Sequence, residues 1–376
     1  SETLPLSTPV SPSKRWKRPR RGNTSAGGKF CKTGERKQAV VNDRITGRRR
    51  KRAEEIRVRI AGRCEAIGRP VRIMEVCGTH TVALRQSGVL SLLPESVAMV
   101  SGPGCPVCVT PASYIENVLD LIERENVLAV TFGDMLKVPD GRGRSLAGYM
   151  GTDKVKIVYS PAELFALSGA TEREVVFLGI GFETTIPVIA AVFGRAFREG
   201  LRNLSLYTAF KLVPPALHAL LEDPHRRLDG FLLPGHVSAV IGTEAFRFLC
   251  DDYGVPGVVT GFEPEDLLVG IESLLALIAR EECGVENRYS RVVRDGGNPR
   301  ARDVMNTLLE PEDALWRGFG TIEGSGMGLR KEYAGIDAEA RFALPPLTDT
   351  DPRGCLCGRI IQGKSIPTEC GYFSNR

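Results

Sequence analysis

The chain has 376 residues, 42% of them hydrophobic, with ten cysteines, four histidines and a net charge of +5. That length suggests two or three domains, and no stretch approaches the ~20 uncharged apolar residues of a membrane-spanning helix. Ser1–Val10 lacks the apolar core of a secretory signal, so a cytoplasmic location is expected, with cysteines serving thiol chemistry and metal binding rather than a disulfide framework.

Residues 1–52 hold 16 Lys and Arg against three acids, whereas the remainder holds 34 basic and 42 acidic residues. The positive charge therefore belongs to the first segment. That segment is Ser-, Pro- and Gly-rich, with isolated apolar points such as Trp16, Phe30 and Val40. It cannot bury enough surface to offset its ordering entropy, and residues 1–55 are expected to form a disordered basic tail. The run Arg48-Arg49-Arg50-Lys51-Arg52 could grip phosphates, but a solvated arm is the simpler reading, and neither a nucleic-acid nor a membrane partner is expected.

From Arg59 onward the text alternates strand, loop and helix. Apolar, β-branched runs occur at 71–76, 97–100, 127–131, 155–159, 175–180, 204–207, 230–233 and 255–259. Such alternation predicts α/β architecture with parallel sheet covered by helices on both faces. The expected organisation is two Rossmann-like parallel-sheet units around a central cleft, 56–160 and 161–285, followed by a smaller C-terminal iron-sulfur segment, 286–376. Gly181-Phe182-Glu183 and Gly261-Phe262-Glu263 each follow a predicted strand, which hints at related units facing each other. Gly179-x-Gly181 lacks the third glycine of a dinucleotide fingerprint, so nicotinamide or flavin binding is not expected.

The chemistry concentrates at predicted strand ends, where open α/β sheets place their ligands. Cys77 follows the first strand in Glu75-Val76-Cys77-Gly78-Thr79-His80-Thr81. A helix opening there would lower the thiol pKa and favour thiolate, and His80 beside it supports a reactive or metal-ligating role. Cys105 and Cys108 follow the second strand, in a Pro- and Gly-rich loop that opens a helix near 111–122. A lone Cys-x-x-Cys is half a zinc site or a redox pair; with no second Cys or His pair nearby, the redox dithiol is favoured.

Other polar groups lie where the cleft should be: Glu183 after the 175–180 run, and His236 after the 230–233 run. His218 and His225 read as structural or exposed, and Cys31, Cys64, Cys250 and Cys283 as incidental or core thiols. Near the end, Cys355, Cys357 and Cys370 suggest iron-sulfur or zinc ligation with one ligand missing.

Taken together, Glu75–Thr81, Ser101–Pro111, Phe132-Gly133-Asp134-Met135, Gly179–Thr185, Leu233–Ser238, Glu286–Arg291 and the Cys355-x-Cys357-Gly358 segment resemble the hydrogenase maturation factor HypD family. The resemblance covers about Arg69 to Cys370 and leaves the basic opening segment unexplained. It implies a metallocofactor-assembly protein with redox-active thiols rather than a metabolic enzyme. Such a protein would scaffold the Fe(CN)2CO unit of nickel–iron (NiFe) hydrogenase, with a small HypC-type chaperone and a HypE-type cyanide donor. By that likeness Cys77 is an iron ligand shared with a partner cysteine, and His80 lies close by. Cys105 and Cys108 supply electrons, and Cys355, Cys357 and Cys370 belong to a 4Fe-4S cluster. The family's cluster region continues with further cysteines beyond the position of Cys370, so truncation at that end, with loss of a fourth ligand, is expected, as is an altered opening. The competing function is a stand-alone thiol–disulfide oxidoreductase using Cys105 and Cys108.

Overall fold

The computed structural model describes residues 32–224, 227–349 and 354–371. The chain divides at Arg50 into two compact units, and the second, Lys51–Arg376, holds every strand found among the described residues. Helix α1 (Lys32–Ile67) leads into β1 (Val71–Glu75), α2 (Gly78–Gln86) and β2 (Val97–Ser101). Next come α3 (Pro106–Val109), α4 (Ala112–Arg124), β3 (Val127–Thr131) and β4 (Val155–Ile157). They are followed by α5 (Glu163–Gly169), β5 (Glu174–Gly181), α6 (Ile186–Arg198), β6 (Leu204–Phe210) and α7 (Val213–Leu221). The chain continues through β7 (Gly230–Pro234), α8 (Gly235–Ile241), α9 (Phe248–Asp251), β8 (Gly257–Thr260), α10 (Pro264–Ala279) and β9 (Val285–Asn287). It closes with α11 (Pro299–Leu308), the hairpin strands β10 (Leu309–Trp316) and β11 (Gly320–Leu329), α12 (Ala338–Phe342) and α13 (Cys357–Ile361).

Two all-parallel sheets result, in agreement with the α/β reading. Sheet A has the order β2-β1-β7-β8-β9 and sheet B the order β4-β3-β5-β6. Parallel sheets must be covered on both faces because their crossover helices lie there. Ile56, Ile60 and Cys64 of α1, spaced at helical intervals, pack with α10 residues such as Ile271 and Leu274 against Val71 and Ile73 on one face of sheet A. The other face carries Leu217, Leu221 and Trp316. The two faces of sheet B are closed by Tyr114, Ile115 and Val118 of α4, and by Ile189 and Phe193 of α6.

The sheets are not consecutive in sequence. The chain begins sheet A, builds all of sheet B, and returns to complete sheet A. The expected boundaries therefore fall inside sheets: residue 160 lies between β4 and β5 of sheet B, and residue 285 opens β9 of sheet A. Helix α1 likewise runs through the expected limit of the tail at residue 55. Readings made on residues 1–31, Cys31 included, and on His225 lie outside the described residues.

The 286–376 segment contains an antiparallel hairpin that the sequence reading did not anticipate. Leu309 and Met327 sit in a sheet B core while Ala314, Trp316 and Ile322 sit in a sheet A core. One ribbon therefore contributes to both. Its register shifts between Glu312 and Ala314, which supplies the local twist. Trp316 donates its indole N–H to the Ser325 hydroxyl at 2.7 Å, which satisfies a polar group that would otherwise be buried alone.

Cys64 is a core residue, as expected, but Cys250 and Cys283 are corrected: they form a disulfide. The β8–α10 unit returns the chain beside α9, which brings together two thiols 33 residues apart. Peptide mapping without reductant is expected to recover these two cysteines linked, and Cys250→Ser to lose about 2–4 kcal/mol in denaturant unfolding, the usual worth of a loop of this size. Separate peptides before reduction would contradict the bond.

Candidate functional site

Residues β1 and β2 pair with Glu75 opposite Ser101, so the loops that follow them emerge side by side at the carboxyl edge of sheet A. In sheet A the chain proceeds from β1 to β2 on one side and from β7 to β8 on the other. The order thus diverges between β1 and β7, which is where a doubly wound sheet opens a crevice. Cys77 and His80 follow β1, and His236 follows β7.

Cys77 caps α2 in extended conformation, and two contacts fix it there. The buried Glu75 carboxylate accepts the Cys77 amide at 3.0 Å and also the Thr81 hydroxyl, which ties the end of β1 to the first turn of α2. From the other loop, the Gly104 carbonyl accepts the Gly78 amide at 2.7 Å. Gly104 lies flat against Cys77: a Cβ on it would stand 2.2 Å from the Cys77 nitrogen and 2.5 Å from its Cα. No side chain is compatible with that approach. The neighbouring Cys105 Cβ lies 3.6 Å from where a Gly78 side chain would start, so the dithiol loop and the Cys77 loop form one surface.

The three thiols differ in electrostatics. Burial pushes the Cys77 thiol up, and the amides of His80 and Thr79 at the start of α2 offset this only in part. The expected lowering at Cys77 is thereby reversed. Cys105 behaves oppositely: the Cys108 thiol donates to it, as does the Cys108 amide at 3.3 Å, and its pKa falls to about 7. The same pairing pushes Cys108 up, and Cys108 is the exposed member. Cys105 is thus the more acidic thiol of the pair, and Cys108 is its hydrogen-bond donor.

His80 is fully buried, and desolvation lowers it to about 4, so its imidazole is neutral. Its Nε2 lies 3.0 Å from the Gly261 carbonyl and donates to it, leaving Nδ1 without a hydrogen-bond partner. The Phe262 ring neighbours two imidazoles, 4.8 Å from His80 and 3.9 Å from His236. Tyr289 meets Phe262 edge-on at 6.1 Å, and Arg291 crosses the Tyr289 ring to pair with Asp266 in the first turn of α10. His236 itself is exposed and lowered by partial burial.

Glu183 follows β5 in sheet B. Its buried carboxyl group, raised to about 7 by desolvation, accepts the Val213 amide at 2.9 Å and opens α7. His218 stacks on Phe248 at 3.7 Å and contacts the Tyr253 hydroxyl, a structural arrangement.

The C-terminal cysteines are placed by the hairpin turn. The Arg317 amide donates to the Val109 carbonyl at 2.8 Å, joining that turn to α3, and Gly318 packs directly on Gly358 of α13. This sets Cys357 within electrostatic reach of Cys108. However, Cys355, Cys357 and Cys370 do not converge: among the described residues no group of three His, Cys, Asp or Glu side chains could hold a metal ion. The expected 4Fe-4S ligand set is therefore not formed by these three residues as they stand here.

Sequence reasoning missed Glu75, Gly104 and Phe262 as parts of the site. An acid ending the strand Val71–Glu75 directly before Val76-Cys77 and a Gly between Pro103 and Cys105 were available signals for the first two. Phe262 could be assigned only once the fold had brought β1, β7 and β8 together.

The result is a parallel α/β protein with a buried thiol at a sheet switch point and a polarised dithiol beside it. A family model described as "HypD: Hydrogenase formation hypA family" matches residues 51–376. The chain is 40% identical over 324 residues to "Hydrogenase maturation factor HypD" of Escherichia coli K12, covering 86% of this chain and 87% of that protein. It is 39% identical over 331 residues to "Hydrogenase expression/formation protein HupD" of Azotobacter chroococcum mcd 1, with 86% and 87% covered. To "Hydrogenase maturation factor HypD" of Rhodobacter capsulatus it is 38% identical over 311 residues, with 81% and 82% covered. The chain belongs to the HypD family.

Alkylation of Cys105 as a function of pH should show a midpoint near 7, because only the thiolate reacts. Removing its donor in Cys108→Ala should move the midpoint upward toward the ordinary thiol value of about 8.5. A midpoint at the ordinary value in the unmutated chain would contradict this polarisation.

Proposed function

We propose that the chain acts in hydrogenase maturation as the scaffold on which the Fe(CN)2CO unit of nickel–iron hydrogenase is assembled. The iron is cargo, held by Cys77 together with a cysteine of a small HypC-type chaperone, and cyanide comes from a HypE-type donor. The observation that carries this reading is the packing of Gly104 on the Cys77 backbone, which sets one buried thiol next to a dithiol of different reactivity.

Each residue has a distinct role in the proposal. Sulfur is a soft ligand suited to iron that carries cyanide and carbon monoxide. Glu75 and the start of α2 orient Cys77, whose thiol is raised by burial, so that iron binding there would release its proton. Cys105 and Cys108 supply two electrons as they close to a disulfide. The neutral, buried His80 and the exposed His236 both pack against Phe262 near the β1/β7 edge. No step is assigned to a 4Fe-4S cluster, because Cys355, Cys357 and Cys370 are not gathered.

The lowered pKa of Cys105 also suits a stand-alone thiol–disulfide oxidoreductase. The two readings separate on Cys77. Infrared spectra of the chain in complex with its small chaperone should show cyanide and carbonyl stretching bands that are lost in Cys77→Ala. Absence of bands from the unmutated complex, with disulfide reduction that survives Cys77→Ala, would favour the oxidoreductase instead.

A further inference from the structure

Sheet B has its own switch point, and the proposed assembly chemistry does not use it. From β3 the chain moves outward to β4, and from β5 it moves the opposite way to β6, so the order diverges between β3 and β5. Outside the carboxyl ends of these strands lies a cavity of about 330 Å³. That size is within the range of ligand sites, and the position is where doubly wound sheets bind their ligands.

The lining combines an apolar interior with a charged and aromatic rim. Met135, Val158, Leu178 and Ile180 are buried side chains that face the cavity. Asp134 and Tyr159 also line it and are exposed, Tyr159 to 94%. Asp134 makes no ion pair among the described residues, so its negative charge is uncompensated there. The wall also includes Pro106 and Val107, the two residues between Cys105 and Cys108. Asp134 is also close enough to act electrostatically on Cys105. The cavity therefore opens directly beside the dithiol.

We propose that this crevice seats the exchange partner of the dithiol: an extended, disulfide-bearing peptide segment that places an apolar side chain among Met135, Val158 and Ile180 and a lysine or arginine against Asp134. The proposal rests on the reading of Cys105 and Cys108 as a redox pair. The Cys105 thiolate attacks one sulfur of the peptide disulfide, whose S–S bond breaks, and the other sulfur leaves and takes up a proton. Cys108 then gives up its proton and attacks the Cys105 sulfur, releasing the second peptide sulfur as a thiol. Two electrons pass from the dithiol to the peptide, with one proton from Cys108 and one from solvent, and the Cys105–Cys108 disulfide forms; the exchange is reversible, so a reduced peptide restores the dithiol after it has given electrons to the cargo. A peptide fits this surface better than a compact ligand because the cavity is open to an exposed aromatic ring and an acid at its rim.

The test uses the full chain with two synthetic disulfide peptides that share an apolar residue beside the cysteine and differ in lysine or glutamate flanks. A small neutral disulfide, bis(2-hydroxyethyl) disulfide, is the reference. The lysine peptide should be reduced faster than the glutamate peptide by up to about fivefold, the upper worth of one exposed ion pair. Asp134→Asn should abolish that ratio and Asp134→Lys should invert it; a ratio between two peptides is independent of any change in Cys105 reactivity. If the neutral disulfide is not reduced by the unmutated chain, the redox reading of the dithiol fails. If it is reduced but the peptides do not differ, or the Asp134 variants leave their ratio unchanged, the crevice proposal fails while that reading stands. Faster reduction of the small disulfide than of either peptide would identify a small-molecule site and overturn the peptide occupant.

Discussion

One steric contact organises the site: the α-carbon of Gly104 against the backbone of Cys77. Parallel pairing of β1 with β2 brings their loops to the same edge, but pairing alone would leave the loops a side chain apart. The absence of a Cβ at Gly104 lets the second loop lie on the first, and the Gly78 amide then bonds to the Gly104 carbonyl. Every later feature depends on this. Cys105 follows immediately, α3 starts from it, and the hairpin turn joins α3 through Arg317 and Val109. A substitution at Gly104 would therefore separate Cys77 from the Cys105–Cys108 pair without touching any of the three sulfurs.

Burial divides the chemistry between neighbouring groups of the same type. Cys77 and Cys105 are both helix caps, yet one is pushed up and the other down. The difference is that Cys105 has a second thiol donating to it, whereas Cys77 faces desolvation with the Glu75 carboxylate nearby. The histidines differ in the same way: His80 is enclosed and neutral, and His236 stands at the open side of Phe262. A site built thus can hold a thiol and a thiolate side by side at one pH.

Much of this was legible in the sequence because strand-end chemistry is local. The runs at 71–76, 97–100 and 127–131 became β1, β2 and β3, and the thiols sit at the strand ends that those runs implied. Topology was not legible, because sheet membership is set by long-range pairing: nothing in the text around residue 230 announces that β7 pairs with β1 rather than with β6. The hairpin escaped notice because its glycine-rich second strand, with Gly324, Gly326 and Gly328, lacks the β-branched signature of the others. The pKa reversal at Cys77 and the Cys250–Cys283 disulfide had the same cause, since both follow from neighbours distant in sequence. The C-terminal cysteines carried a strong compositional signal, but spacing in a coil does not guarantee convergence in space.

Division of labour among the sulfurs is the centre of this account, and iron K-edge absorption tests it most directly. The chain loaded with ferrous iron in the presence of the proposed HypC-type chaperone should show a sulfur shell that loses a scatterer in Cys77→Ser. The same shell should be unchanged when Cys105 and Cys108 are both replaced by serine. A sulfur shell that survives loss of Cys77 and disappears with the dithiol would contradict the assignment of Cys77 as the metal anchor.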